Sequence, residues 1–169
     1  MWRGTKLAVP EIEQLRPTPD RVRETLFNWL RDVVPGSVCL DLFAGSGALG
    51  FEAVSRGAAR AVLVEQDRRL VDRLLQQAET LHANTVEIIQ ADAVKWLETV
   101  QIEFDLVFLD PPFGKGLVDR VLSLLSNGNV LREGALVYVE AETGLIVDPG
   151  RFRIKKQKRA GQVQYMLLE

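Results

Sequence analysis

The chain has a single cysteine, Cys39, and a single histidine, His82. An internal disulfide is therefore impossible, and neither a cysteine cluster nor a histidine triad can hold a metal. The lone thiol fits a reducing compartment such as the cytoplasm. No apolar run approaches the roughly 18 residues needed to cross a bilayer. The opening stretch MWRGTKLAVPEIEQLRP carries no apolar signal-peptide core, so export is not expected. Repeats and low-complexity stretches are missing too, which leaves out disordered and fibrous classes. What remains is an ordinary globular composition: 169 residues, 47% hydrophobic and 26% charged. This suits one domain, with residues 1–35 as a basic extension and first helix and residues 36–169 as the core.

Net charge is also low, at −2, which on its face argues against a nucleic-acid partner. The mean hides a segregation. Residues 1–31 carry six basic and four acidic side chains, residues 32–150 nine and eighteen, and residues 151–169 six and one. Basic ends thus flank an acidic middle. The densest basic run is Arg151, Arg153, Lys155, Lys156, Lys158 and Arg159. Such a run can hold phosphates, or it can be a solvated strand face.

Apolar periodicity sets out the elements. Thr18-Pro19 reads as an N-cap followed by Pro at the first helical position, and Val22, Leu26, Trp29, Leu30 and Val33 continue at helical spacing to Pro35-Gly36. Strands are expected at 38–42, 61–65, 86–90, 104–109 and 135–139. Helices are expected over about 48–56, 70–81, 93–99 and 117–125. Two further strands, 152–157 and 163–168, flank Ala160-Gly161 as a hairpin. Strands written as apolar runs and alternating with helices predict an α/β fold with a mostly parallel sheet covered on both faces. Cys39, Trp29 and Trp96 read as packing residues, and His82 as a residue of a helix C-terminus.

In such sheets ligands bind at the carboxyl ends of the strands. Asp41-Leu42-Phe43-Ala44-Gly45-Ser46-Gly47 ends the first strand. Gly45-x-Gly47-x-x-Gly50 matches the dinucleotide-binding pattern literally, with Glu65 twenty residues after Gly45. An NAD-dependent oxidoreductase is one reading of that pattern. Asp41 argues the other way, because a carboxylate repels a pyrophosphate and suits a cationic ammonium, which favours S-adenosylmethionine. Glu65 is placed to accept from ribose hydroxyls. Asp92 can accept from an adenine amine or simply cap the helix at Ala93.

The fourth strand runs into Asp110-Pro111-Pro112-Phe113. Two prolines make a rigid turn by themselves. The acid and the aromatic ask for more. An exocyclic amine on a nucleobase is a poor nucleophile, since its lone pair is conjugated into the ring. Acceptors at both N–H groups, here the Asp110 carboxylate and the Pro111 carbonyl, favour attack by that nitrogen. Phe113 can stack on the base. Methyl transfer to a flipped or unpaired base needs no metal and no covalent intermediate.

Asp41–Gly47 followed by Asp110–Phe113 resembles the class I S-adenosylmethionine-dependent amino-methyltransferases. The stretch from Arg16 to Leu30, with Trp2-Arg3-Gly4, Phe43–Gly50 and Gly161-Gln162-Val163-x-Tyr165, resembles the RsmD family, which methylates the exocyclic N2 of one guanine in 16S ribosomal RNA. The resemblance spans nearly the whole chain. It implies a seven-stranded Rossmann-like sheet ending in an antiparallel hairpin, and a substrate that is an assembled or partly assembled small ribosomal subunit. It implies that Asp41, Phe43, Ala44, Gly45, Ser46, Gly47, Glu65, Gln66, Asp92 and Ala93 hold the cofactor. Asp110, Pro111, Pro112 and Phe113 then hold the guanine amine. RNA contacts are expected from Arg3, Lys6, Arg16, Arg21, Arg23, Lys115, Arg153, Lys155, Lys156 and Arg159. A monomer is expected. A DNA amino-methyltransferase shares the Asp-Pro-Pro-Phe turn and stays as an alternative, although the length leaves little room for a target-recognition domain. An RNA-binding assembly factor that keeps only the fold is a third possibility, against which the intact turn speaks.

Overall fold

The computed structural model describes residues 19–169. Trp2, Arg3, Lys6, Arg16 and Thr18 lie outside the described residues. The first helix, α1 (Asp20–Trp29), has Pro19 at its N-cap, so that it begins one residue later than expected. It buries Val22, Leu26 and Phe27; of the expected stripe Val22, Leu26 and Leu30 are buried, Trp29 and Val33 are half-buried, and Phe27 is an addition. There follow β1 (Val38–Asp41), α2 (Ala48–Ser55), β2 (Arg60–Glu65), α3 (Arg68–Thr80), β3 (Val86–Gln90), α4 (Ala93–Leu97), β4 (Phe104–Leu109), α5 (Leu117–Asn127), β5 (Leu131–Glu142), β6 (Ile154–Ala160) and β7 (Val163–Leu168).

The seven strands form one sheet in the order β3-β2-β1-β4-β5-β7-β6. The first five are parallel, and β7 pairs antiparallel with both β5 and β6. Strand order reverses between β1 and β4, which makes their carboxyl ends the switch point where a ligand crevice opens.

Strand alternation divides the core in two. Cys39, Leu63, Phe108, Tyr138 and Tyr165 face α1, α2 and α3. Leu40, Val62, Val107, Val139 and Met166 face α4 and α5. Both faces are covered, as the apolar runs require. The Cys39 thiol is buried, and burial pushes its pKa up to about 11, so it is packing and not a nucleophile. Trp29 and Trp96 are partly buried against the two clusters. His82 lies just beyond α3 at φ 50°, with its N–H on the Glu79 carbonyl and the Ala83 N–H on the Ala78 carbonyl. That is a left-handed helix stop, and a structural role. No helix among the described residues is long and apolar enough to cross a membrane.

Two strands differ from expectation. β5 starts four residues early, through Leu131-Arg132-Glu133-Gly134, with a register shift opposite Phe104 and Leu106. Gly134 at φ 75° makes the irregularity possible. β6 is displaced toward the turn, to Ile154–Ala160, and almost all of it is exposed, so it offers no apolar pattern to read.

Candidate active site

The glycine loop leaves β1 at the switch point and is held from three sides. The Ala44 N–H donates to the Val64 carbonyl at 2.9 Å, and the Gly47 N–H to the Ala44 carbonyl at 2.7 Å. Gly45 and Gly47 take φ of 54° and 77°, conformations that side chains resist. Phe43 packs partly buried against the α4/α5 face. Ser46 is half-buried beside it.

Asp41 is sealed beneath this loop. It is only 2% exposed, and its Oδ2 accepts from the Gly50 N–H at 3.0 Å. Burial, followed by the charges of Glu65 and Glu140, pushes its pKa up to about 7 against the single opposing hydrogen bond from Gly50. The sequence reading turns this carboxylate toward the cofactor ammonium; in the structure it grips the start of α2. A raised acid pKa means that the folded protein keeps a proton that the unfolded chain has lost. Stability therefore falls as pH rises from about 4 to about 7. Asp41→Asn keeps an acceptor for Gly50 and removes the titration. Urea midpoints of the cofactor-free proteins should show the variant gaining on the wild type by a few kcal/mol across that window, on the order of 1.4 kcal/mol per pH unit. Parallel profiles would refute this account of Asp41.

Glu65 ends β2 and ties the neighbouring loop to it. Its Oε2 accepts from the Gly45 N–H at 2.9 Å, and its Oε1 from the Gln66 and Asp67 N–H groups at 2.8 and 2.9 Å. A carboxylate has about four lone-pair sites, so with these bonds kept about one remains, on Oε2. Clamping two ribose hydroxyls would require one amide to be given up. Glu65→Ala removes both the acceptor and the Gly45 anchor. Because hydrogen bonds to a charged group are each worth about 1.5–3 kcal/mol, its cofactor Kd should rise roughly 10- to 100-fold. Calorimetric titration checks this, and an unchanged Kd would remove Glu65 from the site.

Asp92 follows β3 and caps α4, with Oδ1 accepting from the Lys95 N–H at 3.0 Å. The capping reading holds, and Oδ2 carries no hydrogen bond among the described residues. The Ala93 methyl is buried in the core, so only its backbone faces the crevice edge.

Asp110 follows β4 and is half-buried, Pro111 is buried, and Phe113 is half-buried. Gly114 and Gly116 adopt positive φ and turn the chain into α5, leaving Lys115 exposed between them. Leu109 pairs with Val139, so Asp110 comes beside Glu140 of β5. Glu140 is buried and its Oε1 accepts from the Tyr138 hydroxyl at 2.9 Å. Burial first, then Glu140 and to a lesser degree Asp110, push the Tyr138 pKa far up, so its hydroxyl stays a proton donor. The sequence reading passes over Glu140. Its signal is the one that marks Asp41, Glu65 and Asp110: an acid at or just after the end of an apolar run.

The expected RNA-binding residues divide. Glu140 pairs with Tyr165, and Tyr165 with Lys158. Asp110, Glu140, Tyr165 and Lys158 thus share one row across four strands, and at about 4.8 Å per strand Lys158 lies ~14 Å from Asp110. Lys156, two residues along the same face, rests 5.7 Å from the centre of the Trp29 ring. Arg159 is adjacent to the β6–β7 turn, at the ligand edge. Arg153 and Lys155 are at the other end of β6, and both pair with Glu169. Arg21 and Arg23 lie on the first turn of α1, Arg23 bonded to Asp20 at 3.0 Å. The structure therefore sets Arg159 and the unexpected Lys158 at the level of the crevice, holds Lys156 two residues below it on Trp29, and leaves Arg153 and Lys155 farther away.

An acid ends β1 and β2 (Asp41, Glu65) and follows β3 and β4 (Asp92, Asp110), and no lysine or arginine stands at those four positions. That donor set fits a ligand with a cation and free hydroxyls and does not fit a pyrophosphate. Comparison with known proteins agrees. A family model described as "Conserved hypothetical protein 95" matches residues 1–169. The Escherichia coli (strain K12) protein named ribosomal RNA small subunit methyltransferase D is 46% identical over 170 residues, covering 99% of this chain and 86% of its own. The chain belongs to the RsmD family. The Haemophilus influenzae protein of the same name is 43% identical, with 100% of this chain and 90% of that one aligned. A solved structure described as the putative methyltransferase yhhF from Escherichia coli superposes with a TM-score of 0.89 at 46% identity, over 99% of this chain and 92% of that one. In the RsmD family the seven-stranded sheet and its terminal hairpin are the expected frame, and the present strand order supplies both.

Proposed function

We propose that the chain transfers a methyl group from S-adenosylmethionine to the exocyclic N2 amine of a guanine in small-subunit (16S) ribosomal RNA. The observation that carries this reading is the convergence of Asp110-Pro111-Pro112-Phe113 with the Asp41–Gly47 loop at the switch point, in a chain of the RsmD family.

S-adenosylmethionine supplies the methyl group on a sulfonium. Gly45 and Gly47 let the backbone approach it, Glu65 takes a ribose hydroxyl on its remaining lone pair, and Asp92 Oδ2 takes the adenine amine. Gln66 and Ala93 contribute backbone groups and wall. Asp41 holds the loop from beneath through the Gly50 N–H. The guanine, out of its stack, lies on Phe113. Asp110 and the Pro111 carbonyl each accept one amine N–H, which turns the nitrogen toward the methyl carbon and stabilises the positive charge that grows on it. The N–C bond would form as the sulfonium S–C bond breaks to leave the neutral thioether, and the positively charged nitrogen would then lose its proton to Asp110 or water. Pro112 keeps the turn rigid. Lys115, Lys156, Lys158, Arg159, Arg21 and Arg23 hold phosphates around the base.

The substrate is the assembled or partly assembled small subunit, met in the cytoplasm by a single copy of the chain. Labelled methyl should pass from the cofactor into subunits lacking the mark, and not into duplex DNA. Transfer to DNA alone would favour the DNA amino-methyltransferase. Folded protein that binds cofactor and labels neither subunits nor free RNA would overturn the proposal. Stabilisation by NAD in place of S-adenosylmethionine would return the loop to a dinucleotide.

A further inference from the structure

The segment that leaves β5 carries two of the four large exposed apolar side chains among the described residues. Ile146 is 89% exposed and Leu145 37%. Single exposed apolar residues need no explanation, but this pair is displayed by a built support. The Thr143 N–H donates to the Gln162 carbonyl at 2.7 Å, which fastens the segment to the β6–β7 turn. Gly144 at φ 101° reverses the chain. Gln164 of β7 is 4% exposed, and its Nε2 donates to the carbonyls of both Glu142 and Leu145, at 3.0 and 2.6 Å. Beyond the pair, the Asp148 N–H donates to Asp119 Oδ1 in the first turn of α5, four residues after Lys115. Gln164 Oε1 accepts from Gln157 Nε2 of β6 at 3.3 Å, so the buried amide ties the end of β5 and the start of the segment to the hairpin and acts as a positioning device.

Its place is at the ligand edge. Glu142 is two residues past Glu140, the residue beside Asp110, so the segment begins about 7 Å beyond the level of Asp110 at ~3.3 Å per residue. Charge flanks it on both sides. Arg159 pairs with Gln164 and so shares the face to which the segment is clamped, and Lys115 precedes α5 on the other side.

We infer that Leu145 and Ile146 form an apolar wedge that packs against nucleobases next to the target guanine, with Arg159 and Lys115 on the phosphates beside them. This rests on the RNA methyltransferase reading above. A wedge between two cationic side chains fits a nucleic acid, whose bases are apolar in their faces and whose backbone is anionic. Apolar side chains inserted at base steps are a recurrent way to hold a distorted strand, and a guanine drawn out of its stack leaves such a step beside it. Gln164 acts as a positioning residue, through the segment.

The test is kinetic and direct. Ile146→Ser should raise KM for unmethylated subunits roughly ten-fold with kcat and cofactor Kd near the wild type, since it removes binding remote from the reacting atoms. Ile146→Leu should restore KM, and neither change should move Tm, because the side chain is in solvent. Ile146→p-benzoylphenylalanine, irradiated on subunits that it still methylates, should crosslink to 16S RNA. A crosslink to a ribosomal protein would replace the wedge with a protein contact. An unaltered KM, or the absence of any crosslink from a variant that methylates, would overturn the inference while leaving the methyltransferase reading intact. Failure of the wild type to methylate subunits would instead remove that reading.

Discussion

Asp110→Ala should lower kcat by about 10²–10³-fold while the cofactor Kd stays within about two-fold of the wild type. The size follows from where the charge develops. In the ground state the guanine amine is neutral, and Asp110 gains little from accepting one of its N–H groups. As the N–C bond forms the nitrogen becomes positive, and the same contact becomes an ion pair in a partly desolvated crevice. The interaction is therefore stronger in the transition state, which is what raises kcat. Asp110→Asn separates two contributions. Its side-chain oxygen still accepts a hydrogen bond and keeps the amine oriented, but the charge is gone. Its rate should lie between those of Ala and the wild type. Single-turnover methyl transfer with saturating cofactor measures both variants. Undiminished turnover, or an equal loss in cofactor binding, would take the role from Asp110.

Gly47→Ala should destabilise the fold by about 2–5 kcal/mol. The left-handed φ of 77° costs an L-residue roughly 1–2 kcal/mol. The new methyl would also lie 2.6 Å from Leu74 Cδ2 and 2.7 Å from the Phe51 ring. Those two side chains are buried in the core, so neither can yield into solvent. Overpacking of that kind costs about 1–3 kcal/mol more. Against a typical total of about 5–15 kcal/mol, the variant should unfold at clearly lower urea. Cofactor affinity should fall with it, because the loop that moves is the one that faces the ligand. The measurement is the chemical midpoint with and without cofactor. A midpoint equal to the wild type would mean that this loop tolerates a side chain and that its geometry has been misread.

The parallel core was legible because buried parallel strands are written as unbroken apolar runs. Val86–Gln90 and Phe104–Leu109 are observed at their expected limits. β5 was legible only in its middle, 135–139, since Arg132-Glu133-Gly134 is a polar, bulged entry whose pairing depends on β4, and Glu140–Glu142 pairs with β7. β6 is an exposed edge strand, and its limits are set by β7. At the site, the acids at the strand ends could be read from position alone. What each acid touches could not. The Glu65–Gly45 bond joins the end of β2 to the loop after β1, and the sealing of Asp41 under its own loop is a property of packing. The basic run at 151–159 shows the same limit. Sequence places its charges together, while β6, seven residues long, spans about 20 Å and leaves Arg153 and Lys155 at the end away from the crevice. Glu140 was readable in principle, as one more acid closing an apolar run.

The central claim is that the nucleophile is an exocyclic guanine amine held by Asp110 and the Pro111 carbonyl. It is tested most directly by methylating unmarked small subunits with isotopically labelled cofactor, digesting the RNA and identifying the labelled nucleoside by mass spectrometry. The account predicts one product, N2-methylguanosine, at a single position, lost with Asp110→Ala. Label on a ring nitrogen, on adenine or cytosine, or on N2 with Asp110→Ala as active as the wild type, would contradict it.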